Sequence, residues 1–426
     1  MDRHRSHDRR PLSGRPFARR GAAVVGATML AGVGMFAGSG VASAVPTTVG
    51  WGPRSGLFDV DVLAQNPTVT VNGRQVALSR PDDITQLAGN IFVGWQNGVG
   101  PQGQPAADGT DFSTITEYTP QGRLVDAWNL TGKADGLTAD PFTRQVIATL
   151  NEDANSSAAT IAPFAAPGDQ VVTYSYDPPN PLPHGGGTDA ISVIGSRILI
   201  SASAPGTVAS AASPAVSAAV YQATFAHQPG ASTGTATLTP LFFDGSTATV
   251  ANLGQPTEST LSPAPASWCP PAPAACTVPP PGASATLNLT DPDSSEVVPF
   301  TSPRFAGDFV LDSQGDQQQI YVADPGTPSQ HLSVLYLSQS IDDTAYVSVP
   351  FGTLYVTDQA NNDLMAIHGP FLPGEAIVSA TPGGANNAVN APNYLATLSL
   401  ATGTVTAIPG LSGVQQNGLL YLPGGQ

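Results

Sequence analysis

Residues 83–95 read Asp-Ile-Thr-Gln-Leu-Ala-Gly-Asn-Ile-Phe-Val-Gly-Trp: an acidic residue, a short apolar strand, a tight turn and a second apolar strand. Versions of this unit recur at Asp135 (then Val146-Ile147-Ala148), Asp189 (then Ile198-Leu199-Ile200), Asp308 (then Ile320-Tyr321-Val322) and Asp343 (then Leu354-Tyr355-Val356). A last echo without the Asp lies at Gly413-Val414 and Leu419 to Leu422. Six copies of one strand-turn-strand unit indicate a circular repeat. Further hairpins lie between them: Ser113 to Trp128 around Pro120-Gln121-Gly122, Ala285 to Pro299 around Asp291-Pro292-Asp293, and Tyr394 to Ile408 around Ala-Thr-Gly. An Asp-led pair plus its following hairpin makes a four-stranded blade, so the expected fold is all-β, a single β-propeller of six blades.

The spacing supports this first and then departs from it. Asp83 to Asp135 is 52 residues and Asp135 to Asp189 is 54, a comfortable blade length, whereas Asp189 to Asp308 is 119 and Asp308 to Asp343 is 35. The long interval holds an Ala/Ser-rich stretch, Ala202 to Ala219, and a Pro/Ala-rich insertion at about 255–284. It retains strand-like sequence at Thr235 to Phe243 and Thr247 to Leu253, which keeps a seventh blade open as the alternative. Asn72-Gly73 marks a hairpin turn near the start of the mature chain. That N-terminal hairpin, Leu57 to Leu78, is expected to complete one blade with the C-terminal strands, closing the ring and removing its open edges.

Composition fits many short strands and frequent turns: of 426 residues 45 are Gly and 41 Pro, and only 11% are charged. Seven arginines between Arg3 and Arg20, an apolar run from Ala22 to about Val41 and the small residues Ala42-Ser43-Ala44 read as a cleaved signal peptide over 1–44, by the general or the twin-arginine route. Its removal leaves 8 of 15 basic and 29 of 31 acidic residues, a net charge of −21 on residues 45–426. So acidic a protein is unsuited to phosphate backbones and to anionic membranes, and suits cations or small neutral and cationic ligands. The expectation is a secreted, extracellular bacterial monomer. Cys269 and Cys276, with six residues between them, read in that compartment as a disulfide closing a small loop within the insertion.

The Asp-led strands, together with Gly-Asn-Ile-Phe-Val, Gly-Thr-Leu-Tyr-Val-Thr-Asp and Leu137 to Val146, resemble the six-bladed propellers of the gluconolactonase-like, NHL-repeat and virginiamycin B lyase-like group. The Ala/Gly/Pro bias and the signal resemble those of secreted actinobacterial proteins. The resemblance covers most of residues 55–424, and the architecture serves hydrolases, lyases and binding proteins alike. It implies a cation site rich in oxygen ligands, with no residue-by-residue carry-over.

Innermost propeller strands line the axial channel, so Asp83, Asp135, Asp189, Asp308 and Asp343 would form a carboxylate rim, with Asp82 and Asp342 as neighbours. Such a rim either holds Ca²⁺ or another divalent cation, or its members accept hydrogen bonds from turn amides and pin adjacent blades. Glu152, in the polar run Asn151 to Ser157, and His184, before Gly185-Gly186-Gly187, are the candidates for moving protons. No nucleotide-binding loop, Ser-His-Asp signature or His-Glu-x-x-His motif is present. The residues thus point to a secreted binding or scaffold propeller with an acidic axial rim for a cation or small ligand, or alternatively to a metal-dependent hydrolase or lyase acting on a small lactone or ester.

Overall fold

A computed structural model describes residues 57–179, 182, 186–205, 217–257, 277–382, 392–412 and 416–424. The chain divides into two compact units, 1–40 and 41–426, and every described residue belongs to the second. The signal segment, His184, Cys269 and Cys276 lie outside the described residues.

The described residues are all-β, with 28 strands and one short 3-10 turn, Gln314–Asp316. Three runs of four consecutive strands pair antiparallel in chain order: from Pro81–Leu87 to Leu124–Thr131, from Ala134–Asp140 to Val171–Asp177, and from Thr188–Ile194 to Thr233–Phe243. The second and third runs join through parallel pairing of Val171–Asp177 with Thr233–Phe243. Their two first strands lie beside one another, so this eight-stranded sheet nearly closes on itself. A fourth run begins at Pro292–Val297 and continues through Phe309–Ser313, Gln318–Ala323 and His331–Tyr336, with Thr247–Val250 and Ser284–Thr286 added at its outer edge.

The end of the chain departs from expectation. Ile341–Tyr346 pairs with Ala376–Ala380, not with Thr353–Asp358. Thr353–Asp358 instead lies between the C-terminal strand Gln416–Leu422 and Asp363–His368, and the N-terminal strand Asp59–Gln65 completes that sheet. Strands from opposite ends of the chain therefore share one sheet. The hairpin Thr68–Val71 with Arg74–Ala77, turning at Asn72 (φ 50°) and Gly73 (φ 79°), forms a separate two-stranded sheet. The left-handed pair of dihedrals is what Asn-Gly adopts at least cost. Asp291-Pro292-Asp293, expected as an outer turn, instead opens the first strand of the fourth run.

The first strands are neighbours in order. Pro81–Leu87 lies beside Ala134–Asp140, then come Thr188–Ile194, Pro292–Val297, Ile341–Tyr346 and Gln416–Leu422, and the last lies beside the first. Apolar clusters fill the spaces between sheets: Leu199 and Phe242 meet Phe309, Leu311 and Ile320, and Val356 and Met365 meet Ile377 and Leu395. Each such side chain contributes roughly 1.5–3 kcal/mol on burial. Trp95 is fully buried, with its ring N–H donating to Thr116 Oγ1 at 2.9 Å.

Hydroxyls on second strands add a recurrent polar link to the neighbouring first strand. Thr149 donates to the Asp189 carbonyl (2.5 Å), Ser201 to that of Pro292 (3.1 Å), Thr357 to that of Asp82 (2.7 Å) and Ser379 to that of Gln416 (2.5 Å). The approach is close: a Cβ at Gly136 or Gly418 would run into the backbone carbonyl of Asp189 or Asp82 respectively.

Candidate cation site

Each of the six first strands carries one extra residue against its partner, between Pro81 and Ile84, Ala134 and Leu137, Thr188 and Ile191, Pro292 and Ser294, Ile341 and Thr344, and Gln416 and Leu419. A bulge of this kind re-aims side chains out of the ladder. The second residue of each strand is Asp82, Asp135, Asp189, Asp293, Asp342 or Asn417, and all six line one cavity of about 530 Å³. The residue just after the second strand also lines it in five sheets: Gln96, Ser203, Gln314, Gln359 and Thr381.

Of the aspartates expected to form the rim, Asp135 and Asp189 are there. Asp83 and Asp343 are the third residues of their strands and serve as pins. Asp83 Oδ2 accepts the Leu137 N–H (2.8 Å), and Asp343 accepts those of Leu419 (2.6 Å) and Thr344 (2.7 Å) and the Ser294 hydroxyl (2.5 Å). Their chain neighbours Asp82 and Asp342 take the cavity positions. Asp308 does not join the rim. It precedes the second strand of its run, with Asp324 and His331 as its charged neighbours, and Asp293 stands where it was expected.

Glu152 is brought to the rim by the loop after Gln145–Leu150. One ligand atom each from Asp135, Glu152 and Asp189 lie within 4.8 Å of one another. Lys133, immediately before its first strand, bridges two of them, with Nζ 2.8 Å from Asp135 Oδ1 and 2.6 Å from Glu152 Oε1. Gln96 Nε2 donates to Asp135 Oδ1 (3.0 Å) and Asp82 Oδ2 (2.5 Å), Asn417 Nδ2 to Asp82 Oδ1 (3.1 Å) and Gln314 Nε2 to Asp342 Oδ1 (2.6 Å). Asp135 Oδ2 is buried and has no hydrogen-bond partner. That is a costly arrangement for a carboxylate, and a cation would relieve it.

Lys133, Gln96, Asp293 and Asn417 were not singled out from the sequence. The bulges that bring Asp293 and Asn417 to the cavity appear only in the strand register, and neither residue stands in an Asp-led apolar strand that would mark it in the sequence.

Burial and mutual repulsion raise the acids. Asp82 is pushed up to about 6 by burial, and Asp291 to about 8 by burial and then Asp293. Asp135, Asp189 and Asp342 are held well above the usual carboxylate range, burial first, and Asp293 and Asp342 are hydrogen-bonded to each other. Burial opposes the charge of Lys133, but Asp135 and Glu152 outweigh it and hold the ammonium protonated. Folded values above the unfolded ~3.9 mean that the native state binds protons the unfolded chain has released. Stability is therefore expected to fall as pH rises from about 4 through 8 in chelator, by roughly 5 °C or more in Tm. Calorimetry across that range with EDTA, then with excess Ca²⁺, checks this. The divalent ion should flatten the slope, and a Tm independent of pH in EDTA would contradict the acid assignment.

Fold and cavity together define a class: an all-β protein in which six bulged first strands, neighbours in order, each bring a residue to a shared acidic cavity. No protein-family model matches the chain, and no curated protein sequence does. Among solved structures it is similar to the periplasmic gluconolactonase of Pseudomonas aeruginosa (13% identity, 85% of this chain and 94% of that one, TM-score 0.41). It is likewise similar to a protein of unknown function from Bacteroides caccae (9%, 82% and 90%, 0.39) and to the soluble aldose sugar dehydrogenase of Escherichia coli (12%, 74% and 100%, 0.35). Likeness at this level leaves the chemistry to be read from this chain's own residues.

Proposed function

We propose that residues 45–426 form a secreted binding protein, a closed six-bladed β-propeller whose acidic axial mouth holds a divalent cation of the Ca²⁺ type and, over it, a small ligand. The observation that carries this reading is the convergence of Asp135, Glu152 and Asp189 beside the partnerless Asp135 Oδ2. Hard cations take several carboxylate and amide oxygens, and Asp82, Gln96 and Asn417 stand close by to supply more. The order of neighbouring first strands and the sheet shared by both chain ends support six blades and closure. Export is supported by the arginine-rich start, the apolar run and Ala42-Ser43-Ala44. No helix among the described residues is long and apolar enough to cross a membrane.

A second reading, metal-dependent hydrolysis of a small lactone or ester, is favoured by the size of the cavity, which falls in the range of small-molecule sites. In it the ion would polarise a carbonyl, and Glu152, a quarter exposed at the edge, would move the proton.

Metal analysis and calorimetric titration of the purified protein test the first reading. Ca²⁺ is expected to bind saturably and to raise Tm, while Asp189→Asn weakens binding by about tenfold or more. The absence of any divalent binding would remove both readings. Turnover of small lactones that is lost in chelator would favour the second.

A further inference from the structure

The same first strands build a second cavity. Ile84, Leu137, Ile191 and Leu420 line it, with Thr85, Thr138, Ser192, Ser295 and Glu296, so five of the six first strands contribute. These residues follow the rim positions by two or three residues along strands that rise about 3.3 Å per residue. The cavity, about 350 Å³, therefore lies farther along the strands than the acidic one, and it differs in chemistry. Aliphatic and hydroxyl groups dominate, one carboxylate is present, and no basic side chain lines it.

Two of the hydroxyls are already committed. Ser192 Oγ donates to the Ser295 carbonyl at 2.8 Å and lies 2.9 Å from Ser295 Oγ, tying two first strands together. The remaining polar groups facing the space are Thr85, Gln86, Thr138 and the Glu296 carboxylate. Asp343 and Asp312 add negative field at Glu296. An anion is repelled here. A divalent metal, which takes six or more oxygens, finds one carboxylate and a few hydroxyls.

We propose that this second mouth binds a small organic cation, an alkylammonium whose charge pairs with Glu296 while its apolar tail lies against Leu137, Ile191 and Leu420. The hydroxyls of Thr85 and Thr138 accept the remaining ammonium hydrogens. Such a ligand pairs with a half-buried acid that has no cationic partner among the residues lining the cavity. Burial, then Asp343, pushes Glu296 up to about 8, in keeping with that lack. The site is separate from the acidic rim and does not depend on an ion being bound there.

The test is a titration of n-pentylammonium chloride into the full mature chain, followed by calorimetry at about pH 9, where Glu296 is ionised and an alkylammonium still charged, with the acidic rim saturated by Ca²⁺. Saturable binding is expected, weakened about tenfold or more in Glu296→Gln and retained when EDTA replaces the Ca²⁺. Thr138→Leu, which narrows the space without touching the acid, is expected to weaken it as well, and serves if Glu296→Gln melts before assay. The proposal is overturned by absence of saturable binding, by both mouth variants binding as tightly as the parent, by loss of binding in EDTA, or by n-pentanol binding as tightly as the ammonium.

Discussion

Lys133→Met is expected to lower the stability of the protein by about 3–5 kcal/mol in metal-free buffer and to make it strongly dependent on divalent cations. The ammonium of Lys133 is 14% exposed and bridges Asp135 and Glu152. Among the described residues it is the largely buried basic group lining the acid cluster, since the other basic lining residue, Arg80, is exposed. Methionine keeps the length and apolar stem of the side chain while deleting its charge, so the variant leaves the acids facing one another uncompensated. Two consequences follow from the same geometry. Without metal the melting temperature drops. With Ca²⁺ it recovers, and the ion binds about tenfold or more tightly than to the parent, because it no longer competes with a tethered cation for Asp135 and Glu152. Calorimetry of both proteins in EDTA and in millimolar Ca²⁺ measures both effects. If the variant melts like the parent in each buffer, Lys133 is not the counter-ion of this site.

Removal of residues 416–426 is expected to abolish cooperative unfolding altogether. Gln416–Leu422 is the first strand of a sheet whose other strands come from 353–368 and from the N-terminal Asp59–Gln65. It buries Leu419 and Tyr421 and lies beside both Pro81–Leu87 and Ile341–Tyr346. Its loss would strip Asp343 of the Leu419 N–H and Thr357 of the Gly418 N–H that it accepts at 2.8 Å, leaving a buried carboxylate short of a donor. It would also bare the edge of Thr353–Asp358, a template for aggregation. The truncated chain should show a broad, non-sigmoidal melt and poor dispersion in proton NMR. A sharp transition within a few degrees of the parent would mean that the sheets do not depend on one another as the adjacency of their first strands implies.

Part of the site could be read before any coordinates. Asp135 and Asp189 each stand one residue inside an apolar strand, and two similar intervals of chain place them at one register. Asp83 and Asp343 were misplaced by a single residue, because each belongs to an Asp-Asp pair and the sequence does not show which member faces the cavity. The bulge decides this: it turns Asp82 and Asp342 inward and leaves their partners to bind backbone N–H groups across the strand boundary. Asp308 was misassigned for a different reason. Its strand pairs correctly with Gln318–Ala323, but the strand before it, Pro292–Val297, is rich in Ser, Asp and Glu and lacks the apolar signature of a buried strand. A strand lining a polar cavity has no need of that signature.

Strand-turn-strand repetition, the acidic balance and the hairpin at Asn72-Gly73 belong to local chemistry, in which alternation of side chains and turn-forming residues act over a few positions, so the amino-acid order alone determined them. Which strands share a sheet was beyond it: Thr353–Asp358 follows Ile341–Tyr346 in the chain yet joins the two termini, because pairing is chosen by burial and edge satisfaction over hundreds of residues. Only the tertiary structure set Lys133 between Asp135 and Glu152 and left one oxygen of Asp135 without a donor. Such placement depends on where separate loops and bulges meet in space, and no spacing along the chain encodes it.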